Sequence, residues 1–130
     1  MREIKFRGKR KDTGEWVYGC YTINFTLSSQ YLEAGPYIEW IDGDTLHSEE
    51  VIPETVGEYT NLEDKNGVAL NWWEGDKFRI DGHVYTIVFD KGCIWFDGID
   101  MPYRYTADSV AKRKNGNVPK VIGNIHEEKL

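Results

Sequence analysis

The chain has little cysteine and little proline: 2 Cys and 4 Pro in 130 residues. Two cysteines, Cys20 and Cys93, cannot build the disulfide framework of a small secreted domain. Neither has a second Cys two or three residues away, as zinc and redox motifs require. Both lie in strand-like contexts and read as buried, reduced thiols. The 3 histidines, His47, His83 and His126, are far apart, so no metal-ligand spacing exists and no cofactor is expected. No apolar run approaches the ~20 residues of a membrane helix. The charged N-terminus has no apolar stretch of the signal-peptide kind, so a cytoplasmic location is expected. Glycines sit singly at turns, and neither Gly-x-Gly-x-x-Gly nor a Walker pattern occurs. Positive charge is also short, with 16 Lys and Arg against 22 Asp and Glu, a net charge of −6. A net acidic chain lacks the electrostatic footprint of a nucleic-acid binder.

What the chain has in quantity is aromatic side chains, 14% of all residues, with 5 Trp and 8 Tyr. A chain of this length buries roughly two thirds of its unfolded surface, enough for one core without staples. Alternation of apolar and polar residues predicts a mainly β fold. Residues 4–7 and 16–25 pair across the Asp12-Thr13-Gly14 turn. Residues 27–35 read as a loop. A strand over 37–41 turns at Asp42-Gly43 into 45–47, and Pro53 ends the segment that follows. Residues 77–80, the Asp81-Gly82 turn and residues 83–90 form the strongest hairpin signal, and Asp90-Lys91-Gly92 turns again into 93–97. In this meander Phe78, Ile80, Tyr85, Ile87 and Phe89 share one face. Val84 and Val88 fall on the other, and Trp95 opposes Ile94 and Phe96. Strands apolar on both sides need covering twice, which suggests a small SH3-like barrel. Thr106 caps one short helical segment over 107–114, with Ala107, Val110 and Ala111 as its apolar stripe. Residues 118–125 are a last strand. The expected organisation is a single domain over 1–130 with two subdomains, an N-terminal antiparallel sheet (1–53) and a barrel with its closing strand (54–130).

The organising stretch is residues 55–80. It holds an apolar entry (Val56, Tyr59, Leu62), the Asp64-Lys65-Asn66-Gly67 turn, an apolar run ending in Trp72-Trp73, a Glu74-Gly75-Asp76 corner and an alternating strand. The run Val56-Gly57-Glu58-Tyr59-Thr60-Asn61-Leu62, the turn at Asp64 and the Glu74-Gly75-Asp76 corner resemble the YopX family of bacteriophage and prophage proteins. The opening Met1-Arg2-Glu3-Ile4-Lys5-Phe6-Arg7-Gly8 with Glu15-Trp16-Val17-Tyr18-Gly19 is similar to that family's first hairpin. Val121-Ile122-Gly123-Asn124-Ile125-His126-Glu127 is similar to its closing strand. Two positions depart from the family pattern. Trp72-Trp73 stands before the corner instead of an aliphatic and one aromatic, and Glu128-Lys129 replaces a usual Asn-Pro. The resemblance implies a phage origin and an all-β fold with a small barrel, and it implies no activity.

Neighbouring strand residues face opposite sides. One indole of Trp72-Trp73 can therefore enter a core, while the other lies against a loop, a partner or solvent. With Trp95, these are the candidate interface residues, because an exposed Trp is a common anchor. Both indoles covered within the monomer is the competing reading. Lys9, Arg10 and Lys11 form a candidate basic contact at a hairpin tip, against the plainer reading of a solvated turn. Glu74, Gly75 and Asp76 are a structural corner. Glu74, Asp76, Asp81, Asp90 and Asp97 invite an acid-base or Mg²⁺ reading, but Asp beside Gly at strand ends is ordinary turn chemistry. Cys93 with His83 as a nucleophilic pair lacks a third orienting group. Lys112, Arg113, Lys114 and Lys120 form a second basic cluster. The leading expectation is a non-enzymatic phage accessory protein. It works by protein-protein contact, as a homo-oligomer or on a host or phage protein, without a membrane. The alternative is a nucleic-acid-binding module using the barrel face and the basic hairpin.

Overall fold

The computed structural model describes residues 3–24, 35–99, 104–113 and 117–127. It contains two antiparallel five-stranded sheets and one short α-helix. By compactness the chain divides into Met1–Glu58 and Tyr59–Leu130.

The first unit is a meander. Strands β1 (Phe6–Lys9), β2 (Trp16–Asn24), β3 (Gly35–Asp42) and β4 (Thr45–Glu50) are joined by β5 (Gly57–Glu58), in the sheet order β4-β3-β2-β1-β5. A 3₁₀ turn over Pro53–Thr55 precedes β5, with Pro at its start. The Thr55 hydroxyl accepts the Lys9 N–H at 2.9 Å and donates to the Ile52 carbonyl at 2.6 Å, pinning this turn beside β1. The interior is small. Tyr37, Ile38 and Val51 are its buried apolar residues, and the Val51 methyls occupy the space above Gly8. At Gly19, with φ 159°, an added Cβ would point at β3 and overlap the Glu39 carbonyl. The loop expected over 27–35 lies outside the described residues, except Gly35, which opens β3.

The second unit contains the larger core. Strands β6 (Asp76–Ile80), β7 (His83–Asp90), β8 (Cys93–Gly98), β9 (Arg104–Thr106) and β10 (Val121–Asn124) make the sheet β10-β6-β7-β8-β9, and α1 (Ala107–Ala111) follows β9. Asp81-Gly82 and Lys91-Gly92 close the two hairpins with positive φ at both central residues, the geometry that matches strand twist. One face packs Phe78, Ile80, Tyr85, Ile87 and Phe96 with Trp72 and with Ala107, Val110 and Ala111 of the helix. The helix stripe expected from sequence is therefore the buried one.

No sheet closes among the described residues, so these show no SH3-like barrel of the kind expected from sequence. The core face is covered instead by α1 and by Leu62, Leu70 and Val118, which pack on it from outside the sheet. Residues 59–73, the apolar entry, turn and apolar run of the organising stretch, are not regular strands. They form an arm with isolated bridges at Tyr59 with Trp73 and Glu63 with Ala69. Asn61, at φ 60°, interrupts the pleat between them. The cysteines correct a further expectation. Both are exposed free thiols, because Cys20 lies on the open side of β2 and Cys93 starts β8 straight after a turn.

Candidate functional site

The corner at Glu74-Gly75-Asp76 is where the second unit is tied together. Asp76 N–H donates to the Trp73 carbonyl at 3.0 Å, closing a turn over Trp73–Asp76. The Asp76 carboxylate, 3% exposed, accepts the Trp73 N–H at 2.9 Å. Gly75 has φ 92°, a region that side chains disfavour. Its N–H donates to the Ile87 carbonyl at 2.9 Å and its carbonyl accepts the Ile125 N–H at 3.0 Å. One turn thus joins the arm, β7 and the segment after β10. This is structural work, the buried carboxylate being satisfied by a backbone N–H.

Trp72 and Trp73 leave this corner on opposite sides, as neighbours on extended chain must. Trp72 enters the core, 5.0 Å from the Phe78 ring centroid and 5.3 Å from that of Phe96. Trp73 is covered by Tyr59, 4.9 Å between ring centroids, and its indole N–H donates to the Asn71 side chain at 3.1 Å. The Tyr59 hydroxyl in turn donates to the Leu70 carbonyl at 3.1 Å. Both indoles are buried, at 4% and 3% exposure, which corrects the expectation that one of them faces outward as an interface anchor. The arm folds back and supplies the missing cover. Trp95 is half-buried on the opposite sheet face. Its N–H donates to the Asp90 carbonyl at 3.2 Å and the Arg104 guanidinium lies 5.0 Å from its ring.

Arg104 also bridges Asp90, at 3.1 Å, and Asp97, at 3.4 Å. The Asp90 hydrogen bond raises the guanidinium pKa above its ordinary value, and the Asp97 charge adds to this. These two carboxylates therefore clamp a cation. Asp81 occupies the left-handed position of its turn. Cys93 pairs with Asp90 at one end of β7, and His83 stands at the other end, opposite Ile80. Eight residues of strand separate the two ends by about 20 Å, so the pair does not meet. Among the described residues, no group of three or more His, Cys, Asp or Glu side chains is placed to hold a metal ion.

The basic hairpin tip is neutralised locally. Arg10 meets Asp12 at 2.9 Å and Glu49 at 3.3 Å, and Lys11 meets Glu50 at 3.3 Å. Lys9 lies 5.4 Å from the Trp16 ring, which also carries the Arg7 guanidinium at 4.5 Å. The Arg10 hydrogen bond holds the Asp12 carboxyl below its ordinary pKa and raises the pKa of Arg10. Lys11, Asp12, Glu49 and Glu50 line a cleft of about 350 Å³, so its walls carry three acids and one base. In the second cluster Lys112 donates to the Glu63 carbonyl at 3.0 Å and pairs with Asp108 at 3.1 Å. Lys114 lies outside the described residues.

Fold and site define a mainly β protein of two five-stranded sheets, the second unit tied together by a buried turn, with most polar side chains of the candidate sites scattered and locally paired. The chain belongs to the YopX family, whose model, described as YopX protein, matches residues 5–129. No curated protein and no solved structure is significantly similar to it. No helix among the described residues is long and apolar enough to cross a membrane.

Proposed function

We propose that this chain is a non-enzymatic accessory protein of bacteriophage or prophage origin, working in the host cytoplasm by protein-protein contact. We further propose that it associates with copies of itself along the free edge of β10. The observation that carries this reading is the composition of that edge. β10 is the outermost strand of its sheet, carries no charged side chain, and exposes Val121 at 42% and Ile122 at 47%. Ile125, just beyond it, is 52% exposed. Open edges are normally guarded by charge, proline or extreme shortness. β4 has Glu49 and Glu50, β9 has Arg104, and β5 is two residues long. Pro119 and Lys120 guard only the entry to β10. A register shift between Val121 and Gly123 turns Ile122 out of the ladder. Pairing of two such edges about a two-fold axis adds backbone hydrogen bonds and covers the apolar side chains of both copies.

The separation of Cys93 from His83 and the clamping of Asp90 and Asp97 by Arg104 support the non-enzymatic part. The local pairing of Arg10 and Lys11 with acids removes the main attraction of the nucleic-acid alternative. The test is the absolute mass of the purified chain by light scattering after size exclusion. The expected mass is twice 15.1 kDa, returning to 15.1 kDa in Ile122→Lys. A wild-type monomer across a wide concentration range refutes self-association.

A further inference from the structure

We infer that the cleft between the end of β6 and the segment entering β10 is an anion site for a small phosphate or phosphate monoester. The cleft exists because β10 stops pairing with β6 at Val121, opposite Phe78. Pro119, just before it, has no N–H with which to continue the ladder. Arg79, Ile80 and Asp81 are left bordering a space of about 190 Å³, with Arg113, Asn117 and Pro119 on its other sides.

The two arginines are the anomaly. Acids outnumber bases 22 to 16 in this chain, and arginines here find acids or rings easily. Arg10 pairs with Asp12 and Glu49, Arg104 with Asp90 and Asp97, and Arg7 lies over Trp16. Among the described residues, Arg79 and Arg113 form no ion pair, although Asp81 borders the same cleft. Two guanidinium groups and one carboxylate leave that wall with a charge of +1. A guanidinium presents its N–H groups in a fork that matches the oxygens of an oxyanion, and two forks facing one space grip a tetrahedral anion from two sides. Ile80 and Pro119 supply an apolar wall suited to the organic part of an ester. The space matches a phosphate or a monoester with a small organic group, below the roughly 300 Å³ at which drug-sized and cofactor pockets begin.

The test uses the full chain and phenyl phosphate, followed by backbone and arginine side-chain NMR at constant ionic strength, with sodium chloride as reference. The expected result is a saturable shift confined to residues 79–82, 113 and 117–119. Arg79→Gln and Arg113→Gln should each weaken binding about tenfold, the effect of losing a charge-assisted hydrogen bond. Lys91→Gln, on a different turn, should leave it unchanged. Arg79→Lys, which keeps the charge and loses the fork, should retain part of the affinity and covers the case that a Gln variant misfolds. Tighter binding of phenyl phosphate than of inorganic phosphate supports an ester as ligand, and equal binding supports free phosphate. Non-saturating shifts, shifts shared with the Lys9–Lys11 hairpin, or shifts reproduced by chloride mean an adventitious ion only and overturn the proposal. Unchanged affinity in both Gln variants overturns it as well.

Discussion

The two sheets have equal strand numbers and very different interiors. In the first unit Tyr37, Ile38 and Val51 are the buried apolar residues, while Ile41 and Leu46, opposite each other near the β3–β4 turn, stand 73% and 63% exposed. In the second, three aromatic rings (Trp72, Phe78 and Phe96) pack within 5.3 Å of one another beneath a helix. The cover differs, not the strand chemistry. The second sheet has α1 and the folded-back arm over one face, whereas among the described residues the first has the short turn at Pro53–Thr55 beside β1. Among the described residues, the second unit has much the larger buried apolar core.

That contrast sets an order of mutational effects. Phe78→Ala removes the ring at the centre of the aromatic cluster and should lower stability by about 3–5 kcal/mol, read by urea unfolding. Trp72→Ala and Trp73→Ala should both lower stability without changing the association state. A change in mass with an unchanged unfolding midpoint would restore one of them as an interface residue. The next effect belongs to the first unit. Gly19→Ala places a Cβ in the Glu39 carbonyl and forces β2 and β3 apart, at about 1–3 kcal/mol. If this glycine tolerates alanine, the β2–β3 pairing does not depend on a missing side chain there. Gly75→Val should lose about 1–3 kcal/mol through backbone strain, since the nearest side-chain atom to its Cβ is Ile125 Cγ1 at an ordinary 3.5 Å. A normal melting curve would remove the corner from its linking role. Native-state hydrogen exchange should find the β7 amides better protected than those of β2 and β3, and equal protection would break the comparison.

The smallest expected effect is electrostatic. Asp12 is fully exposed and its pKa is depressed by Arg10. A depressed carboxylate adds stability above its unfolded pKa, near 3.8, and that stability is lost as pH falls through the lower folded value. Asp12→Asn should therefore reduce the melting temperature slightly at neutral pH, and the difference from wild type should vanish in acid. A difference that persists there means the contact is not ionic.

The hairpins at Asp81-Gly82 and Lys91-Gly92, the corner glycine and the buried stripe of α1 were legible in the sequence, because each depends on a local backbone preference or a local period. Burial was much less legible. Cys20 and Cys93 are apolar enough to read as core, yet only the register of β2 and the turn before β8 decide which way they face. Trp72-Trp73 announced two opposite faces but not what covers them, since Tyr59 and Asn71 reach Trp73 only after the arm folds back. The arginine pair was hardest to read, because 34 positions separate Arg79 from Arg113.

By itself the sequence determined the β character, the turn positions and the family, since alternation, Asp-Gly dipeptides and motif order are local or linear properties. Only the tertiary structure decided that the second sheet does not close among the described residues, that both tryptophans of the pair are covered, and that two arginines border one cleft. Closure, cover and convergence depend on contacts between segments distant in the chain, where strand pairing and side-chain volume, rather than residue preference, set the outcome.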